Sequence, residues 1–203
     1  SSNTAIGYKC SYWSSTGQYN TAIGYQCLMG VTDVYTDSDA NVAIGYQCGL
    51  FVGVRATNNV LIGYECAKAA TGDGEFVGDN NTYIGYQCGK VNKSGSENVG
   101  IGKCCLFSIA GDTTSDDIAL HTGIQNVAIG VDCLYSNQTG SFNVAMGYQS
   151  LYSNTADGNT AIGYECGYYN GTSYSNVAIG YQCLKGINTT GDSNYNGYSS
   201  VSN

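Results

Sequence analysis

One eight-residue phrase, Asn-(Thr/Val)-Ala-Ile-Gly-Tyr-Gln-Cys, recurs in ten versions along the chain and leaves few folds open to it. The copies begin at Asn3, Asn20, Asn41, Asn59, Asn81, Asn98, Asn126, Asn143, Asn159 and Asn176, at steps of 17, 21, 18, 22, 17, 28, 17, 16 and 17 residues. Asn at position one and Gly at position five are present in every copy. Position four is Ile except at Met146, position six Tyr except at Lys103 and Val131, and position eight Cys except at Ser150. Repetition at such a period marks a solenoid or repeat array. Bulky residues at positions two, four, six and eight alternate with small or polar ones at three, five and seven, the period of a strand. A helix is excluded by the recurring mid-phrase Gly and by the lack of a 3.6-residue period. The Asn before each phrase and the Gly- and Asn-rich segments after it are turn chemistry.

A strand that repeats with the same side chains is best stacked in parallel on its own copies. The sequence therefore predicts an all-β chain, a parallel β-solenoid (β-roll) of about ten 16–28-residue coils occupying 1–203 as one repeat domain. Each coil is expected to hold this strand, a corner, a second shorter extended segment and a return. With coils about 4.8 Å apart the rod is roughly 48 Å long. Extra residues fall after the Cys and before the next Asn, the largest insert lying around Phe107 to Gln125. Segment 191–203 reads as an imperfect last coil. Stacked Asn side chains are expected to pass amide hydrogen bonds from coil to coil. The Ile–Tyr–Cys face is expected to point inward, with the Ala–Gly face as the alternative site of tight packing between chains.

Composition agrees with that reading. The chain has 203 residues, no proline, 29 glycines, 19 tyrosines and 10 cysteines, and only 11% of its residues are charged, against about 25% in an average soluble domain. A net charge of −8 with seven Lys and Arg argues against nucleic acid, which needs a basic stripe, and against anionic membrane surfaces. No apolar run is long enough to span a bilayer, so membrane insertion is not expected. No charged-then-apolar leader opens the sequence, so a signal peptide is expected to have been removed or to lie further upstream.

Ten cysteines without a C-x-x-C pair point to disulfides or to a column of buried thiols, and away from zinc. Successive coils bring Cys Cα atoms to about 4.8 Å, within the range of roughly 4.4–6.8 Å that a disulfide tolerates. Counting by rungs suggests Cys10–Cys27, Cys48–Cys66 and Cys166–Cys183. The missing Cys at Ser150 and the extra one in Cys104–Cys105 then balance, as Cys88–Cys105 and Cys104–Cys133, or with Cys104 and Cys105 exchanged. Free buried thiols acting as small apolar residues and bridges between chains are the alternatives. Disulfides at this density imply an oxidising compartment.

The remaining features read as bland. Sequons occur at Asn80, Asn92, Asn137, Asn170 and Asn188. Those at Asn92, Asn137 and Asn170 lie eleven residues after their repeat's Asn, as a second turn Asn or as a line of glycosylation sites. The acidic segments Asp33–Asp39 and Asp112–Asp117 match no calcium-loop spacing and read as solvated loops, and His121 as a surface residue. No metal and no cofactor is expected. No nucleophile elbow, phosphate loop or recurring carboxylate pair is present, so no enzymatic activity is expected.

The phrase resembles two families. One is the β-roll head of trimeric autotransporter adhesins, with its Ala-Ile-Gly strand. The other is the set of phage and environmental tail-fibre-like proteins with Asn-Thr-Ala-Ile-Gly-Tyr-Gln repeats, similar to residues 126–183 here, as in Asn143-Val-Ala-Met-Gly-Tyr-Gln-Ser-Leu. The resemblance covers nearly the whole chain. It implies a parallel β-roll, often trimeric, on an extracellular appendage or fibre. This chain departs from those families in having Cys where they usually have Ala, and in lacking an anchor, stalk or chaperone segment.

The repeat begins at residue 3 without a capping segment, and bare solenoid ends invite stacking on another chain. The sequence therefore favours a secreted or surface-exposed subunit of an extracellular filament, its partner another copy of itself, end to end or as a trimer. A trimeric adhesin or tail-fibre head that binds a host-surface glycan or protein is the alternative. An ice-binding solenoid is disfavoured, because only four of the ten position-two residues are Thr.

Overall fold

A computed structural model describes residues 2–12, 16–30, 38–50, 56–69, 78–91, 94–107 and 123–186. Each repeat forms one five-residue strand: β1 (Thr4–Tyr8), β2 (Thr21–Tyr25), β3 (Val42–Tyr46), β4 (Val60–Tyr64), β5 (Thr82–Tyr86), β6 (Val99–Lys103), β7 (Val127–Val131), β8 (Val144–Tyr148), β9 (Thr160–Tyr164) and β10 (Val177–Tyr181). They make one ten-stranded parallel sheet in strict sequence order. Every pairing joins like positions, Ile23 to Ile44 and Gly24 to Gly45 among them. The fold is an all-β, parallel β-solenoid. Among the described residues no helix is long and apolar enough to cross a membrane.

Two chemical facts hold the register. The first is the glycine column. Gly45 has φ +131, and a Cβ placed on it would lie 2.0 Å from the carbonyl oxygen of Gly63. No side chain fits between coils there, so a one-residue slip that put Ile or Tyr in the column is blocked. The second is the corner chemistry. Residues immediately before the Asn (Ala40, φ 54), at position seven (Gln47, φ 52) and at position nine (Leu28, φ 48) are left-handed. Such a φ is uncommon outside Gly, and its regular recurrence turns each coil at the same places.

These corners overturn the expected inward Ile–Tyr–Cys face. The strand ends at Tyr, and the left-handed residue at position seven breaks the two-residue alternation before Cys is reached. Ala43 and Cys48 are therefore both fully buried, whereas Ile and Tyr face outward, Tyr46 being 39% exposed and Ile101 37%. The core is built from position three, position eight and position nine.

Its packing is complementary from coil to coil. Most strands carry Ala at position three, but β5 carries the fully buried Tyr83. Gly89, at position nine of the same coil, and Gly100, at position three of the next, make room for it: a Cβ on Gly89 would sit 2.5 Å from the Tyr83 ring, and one on Gly100 at 3.0 Å. Where position three is Ala, as in β7 and β8, the buried Leu134 and Leu151 supply volume from position nine. On the far side of the coil the stack is also hydrogen-bonded, Ser136 N–H to Tyr152 O at 2.9 Å and Ser153 N–H to Tyr168 O at 3.0 Å. Among the described residues a short parallel bridge joins Asn154 and Gly171 there, in place of a second continuous strand.

Candidate functional site: internal ladders and an apolar outer face

The Asn residues at position one form a continuous ladder. The backbone N–H of Asn41 donates to Oδ1 of Asn20 at 2.9 Å, and its Nδ2 donates to the Ala56 carbonyl at 2.8 Å. The same pair of bonds recurs at Asn59, Asn81, Asn98, Asn126 and Asn143. Asn3 starts it through Gly17, and Asn159 and Asn176 carry it on. A short carboxamide suits the position, because one group must accept from one coil and donate to a loop, buried in the interior coils from Asn20 to Asn159. Each bond contributes about 1 kcal/mol, and an orphaned partner costs about 1–3 kcal/mol.

All ten cysteines are free thiols. None of the expected bridges Cys10–Cys27, Cys48–Cys66, Cys88–Cys105, Cys104–Cys133 or Cys166–Cys183 is formed. The physical reason lies in the register. Like positions of neighbouring strands hold their Cβ atoms about 4.8 Å apart with parallel Cα–Cβ bonds, whereas a disulfide needs Cβ atoms roughly 3.5–4.5 Å apart. Each thiol instead donates to carbonyls. Cys27 Sγ lies 3.3 Å from Ile23 O in its own coil and 3.1 Å from Gly45 O in the next. Cys10, Cys48, Cys66, Cys105, Cys133 and Cys166 repeat the contact to the next glycine. Ser150 reproduces it through its hydroxyl, 2.9 Å from Gly163 O. Position eight thus calls for a small buried donor, which Cys and Ser share.

Two cysteines differ. Cys88, beside the Tyr83 ring, turns its Sγ to Cys105 O at 3.3 Å, and burial pushes its thiol up to about 12. Cys104 stands at position seven, where most coils have Gln or Glu, with Sγ 4.0 Å from Gln87 Oε1, so it cannot meet the core thiol of Cys133. Burial also raises the thiols of Cys10, Cys104 and Cys166. Coil spacing and parity, on which the expected pairing rested, carried no information about thiol direction.

The sequons divide. Asn137 is buried, its Nδ2 donating to Gly140 O at 2.8 Å while its Oδ1 accepts from Gly140 N–H. Asn170 donates to Asn154 Oδ1 and Ser173 O. Both act as turn asparagines. Asn80 is exposed. Asn92, Asn188, His121, the acidic segment around Asp112–Asp117, residues 33–37 of the other acidic segment and the expected last coil 191–203 lie outside the described residues.

Aromatic columns run along two lines. At position six Tyr8, Tyr25, Tyr46, Tyr64 and Tyr86 stack with centroids 5.0–5.2 Å apart, and Tyr148, Tyr164 and Tyr181 resume the line beyond Lys103 and Val131. At position ten Phe107, Tyr135, Tyr152 and Tyr168 stack at 4.8–4.9 Å. This second column ends against cations, Lys90 over Phe107 at 5.9 Å and Lys185 over Tyr168 at 6.0 Å. Sequence reasoning missed it, because position ten has mixed residues in the other coils and only the stacking aligns these four.

A polar column at position seven flanks the sheet. Glu65 receives Lys68, Lys90 and Gln87 at 2.6–2.8 Å. Burial works against its charge, but these three partners prevail and hold its carboxyl at about 2. Glu165 repeats the arrangement with Lys185 and Gln182, and Lys185 and Gln182 hold its carboxyl below the ordinary range.

The outer face of the sheet is therefore three parallel apolar lines, Thr/Val, Ile and Tyr. Across ten strands it covers about 600 Å², taking about 4.8 Å per strand and 3.3 Å per residue. That is at the upper end of the about 300–600 Å² typical of a monomer's largest exposed apolar patch. Among the described residues no three His, Cys, Asp or Glu side chains converge as metal ligands. No protein-family model, curated protein or solved structure matches the chain.

Proposed function

We propose that the chain is a length of structural fibre that works outside the cell, with no catalytic role. The observation that carries this reading is the invariant register. The pairings β1–β2 and β9–β10 match like with like as the interior pairings do, so one rule of pairing joins all ten described coils. A stack paired by one rule extends by any further coil of the same kind, from the same chain or from another copy. The Asn ladder points the same way, since Asn3 and Asn176 repeat the positions used between interior coils. The extracellular placement rests on the charge-poor, Asn-, Ser-, Thr-, Tyr- and Gly-rich composition and on the fibre architecture, and no longer on disulfides.

A second reading is favoured by the exposed Ile and Tyr lines. Three chains that bury this face against one another form a discrete trimer, the arrangement of an adhesin or tail-fibre head. Electron microscopy of the purified chain, with its mass in solution measured by light scattering, separates the two. Long filaments of one-coil width, unchanged by reductant, are expected. Short rods of three-chain mass move the assignment to the head. A stable monomer with neither behaviour overturns both.

A further inference from the structure

The fold leaves a column of thiols at position eight, interrupted at Cys88 and Ser150. Cys10, Cys27, Cys48 and Cys66 occupy four successive coils, each making the same contact to the glycine carbonyl of the next coil. Cys105 and Cys133 repeat it on the next two aligned coils, as does Cys166 beside Cys183. Thiols held by like contacts one coil apart place neighbouring sulfurs about 4.8 Å from each other along the rod. That separation is too wide for a disulfide. It is close to twice a metal–thiolate bond of about 2.3 Å.

From this spacing we infer that adjacent thiols of the column form linear two-coordinate sites for a soft divalent metal ion of the mercuric type, bridging Cys10 with Cys27, Cys48 with Cys66, Cys105 with Cys133, and Cys166 with Cys183. Ligand number and charge select the ion. Tetrahedral ions such as zinc need four donors, and among the described residues not even three His, Cys, Asp or Glu side chains converge. Hard ions need oxygen cages, whereas thiolate selects soft ions. A monovalent ion between two thiolates leaves a net charge of −1 in the core, where an unpaired charge is costly. A divalent ion between two thiolates is neutral.

The reaction balances without a redox step. Two S–H bonds break, two metal–sulfur bonds form, and two protons leave to solvent for each ion bound. The bonds given up are the thiol donations to Gly24, Gly45, Gly63 and their equivalents, while those carbonyls remain in the sheet. Cys88 is outside the set because its sulfur is turned to Cys105 O beside Tyr83. Cys104 is outside because it stands in the position-seven column. Ser150 interrupts the line between Cys133 and Cys166.

The test uses the full reduced chain titrated with mercuric chloride. Thiolate-to-mercury ultraviolet absorption, proton release and far-ultraviolet circular dichroism are followed until no further change. Four ions per chain, two protons per ion and an unchanged β spectrum are expected, with Cys88 and Cys104 still titratable as free thiols in denaturant. Cys48→Ser keeps a donor to Gly63 O, as Ser150 does to Gly163 O, and should bind one ion fewer. Cys88→Ser should still bind four. To allow for slow entry, the chain is also refolded in the presence of the ion. Uptake of one ion per thiol, loss of the β spectrum on binding, no uptake by either route, or equal losses in the two variants each overturn the inference.

Discussion

From β1 to β5 the aromatic column runs on the outer face, Tyr8 through Tyr86. From β6 to β9 it also runs along position ten, Phe107 through Tyr168, with Lys90 and Lys185 at its ends. The change coincides with the outer column's interruption at Lys103 and Val131, and with the core substitution of Tyr83 against Gly100. The first region stacks its rings in the open, Tyr46 and Tyr86 being 39% and 46% exposed. The second half-buries Tyr135, Tyr152 and Tyr168 over the corner after Cys. The glycine column and the left-handed corners hold the register in both regions, which leaves the aromatic line free to shift. What differs between the regions is therefore surface and packing detail, and what they share is the backbone stack.

The sharpest way to break that comparison is to attack the shared part. Gly45→Ala in β3 and Gly147→Ala in β8 each place a Cβ about 2 Å from a carbonyl oxygen at a φ that disfavours side chains. Both should cost more than about 4 kcal/mol, seen as loss of the β circular-dichroism signal. A folded Gly147→Ala beside an unfolded Gly45→Ala would show that the two regions are not held by the same column.

Next comes the junction between the regions. Tyr83→Ala should cost about 3–5 kcal/mol in denaturant unfolding. Gly100→Ala, crowded by Cys88 Sγ and the Tyr83 ring, should cost less in the Tyr83→Ala background than alone, by about 0.5–3 kcal/mol. Additive effects would remove the coupling argued from their packing.

Acid separates the regions by their carboxylates. The folded Glu65 carboxyl titrates at about 2, below its ordinary value of 4.5. Its contribution, about 3 kcal/mol at most, is therefore complete above pH 4.5 and is lost as the pH falls from 4.5 to 2. In Glu65→Gln the acid-dependent loss of stability should shrink by that amount, measured by urea midpoints at pH 5 and pH 2.

Smaller effects test the aromatic lines themselves. Tyr152→Ala, half-buried between two rings, should cost about 1.5–3 kcal/mol, and the exposed Tyr46→Ala about 0.5–1.5 kcal/mol. Equal costs would mean that burial does not distinguish the columns. The smallest change expected is Cys27→Ser, below about 1 kcal/mol because a donor to Gly45 O is retained. Cys27→Ala should cost more by about 1 kcal/mol.

Much was legible in the phrase alone. Like side chains at like positions predicted a parallel stack, and the single Asn in each copy predicted the amide ladder from Asn3 to Asn176. The burial pattern was not legible. Alternation was followed through Cys because the phrase does not reveal that position seven is left-handed, a state that Gln47 and Cys104 adopt only under the constraint of their neighbours. The pairing of thiols failed for a related reason. Cα spacing is readable from a repeat, but Cβ separation and thiol direction depend on register and rotamer. The position-ten column from Phe107 to Tyr168 went unseen because only some coils carry an aromatic there.

By itself, then, the repeated Asn-x-Ala-Ile-Gly-Tyr-x-Cys phrase determined the strand, its parallel neighbour and its register, since a Cβ in the glycine column would lie about 2 Å from a carbonyl oxygen and no other residue fits there. Only the tertiary structure decided which face is core, because three left-handed corners per coil turn the chain after Tyr and carry Ala and Cys inside. Ile and Tyr are left on the surface, where assembly can use them.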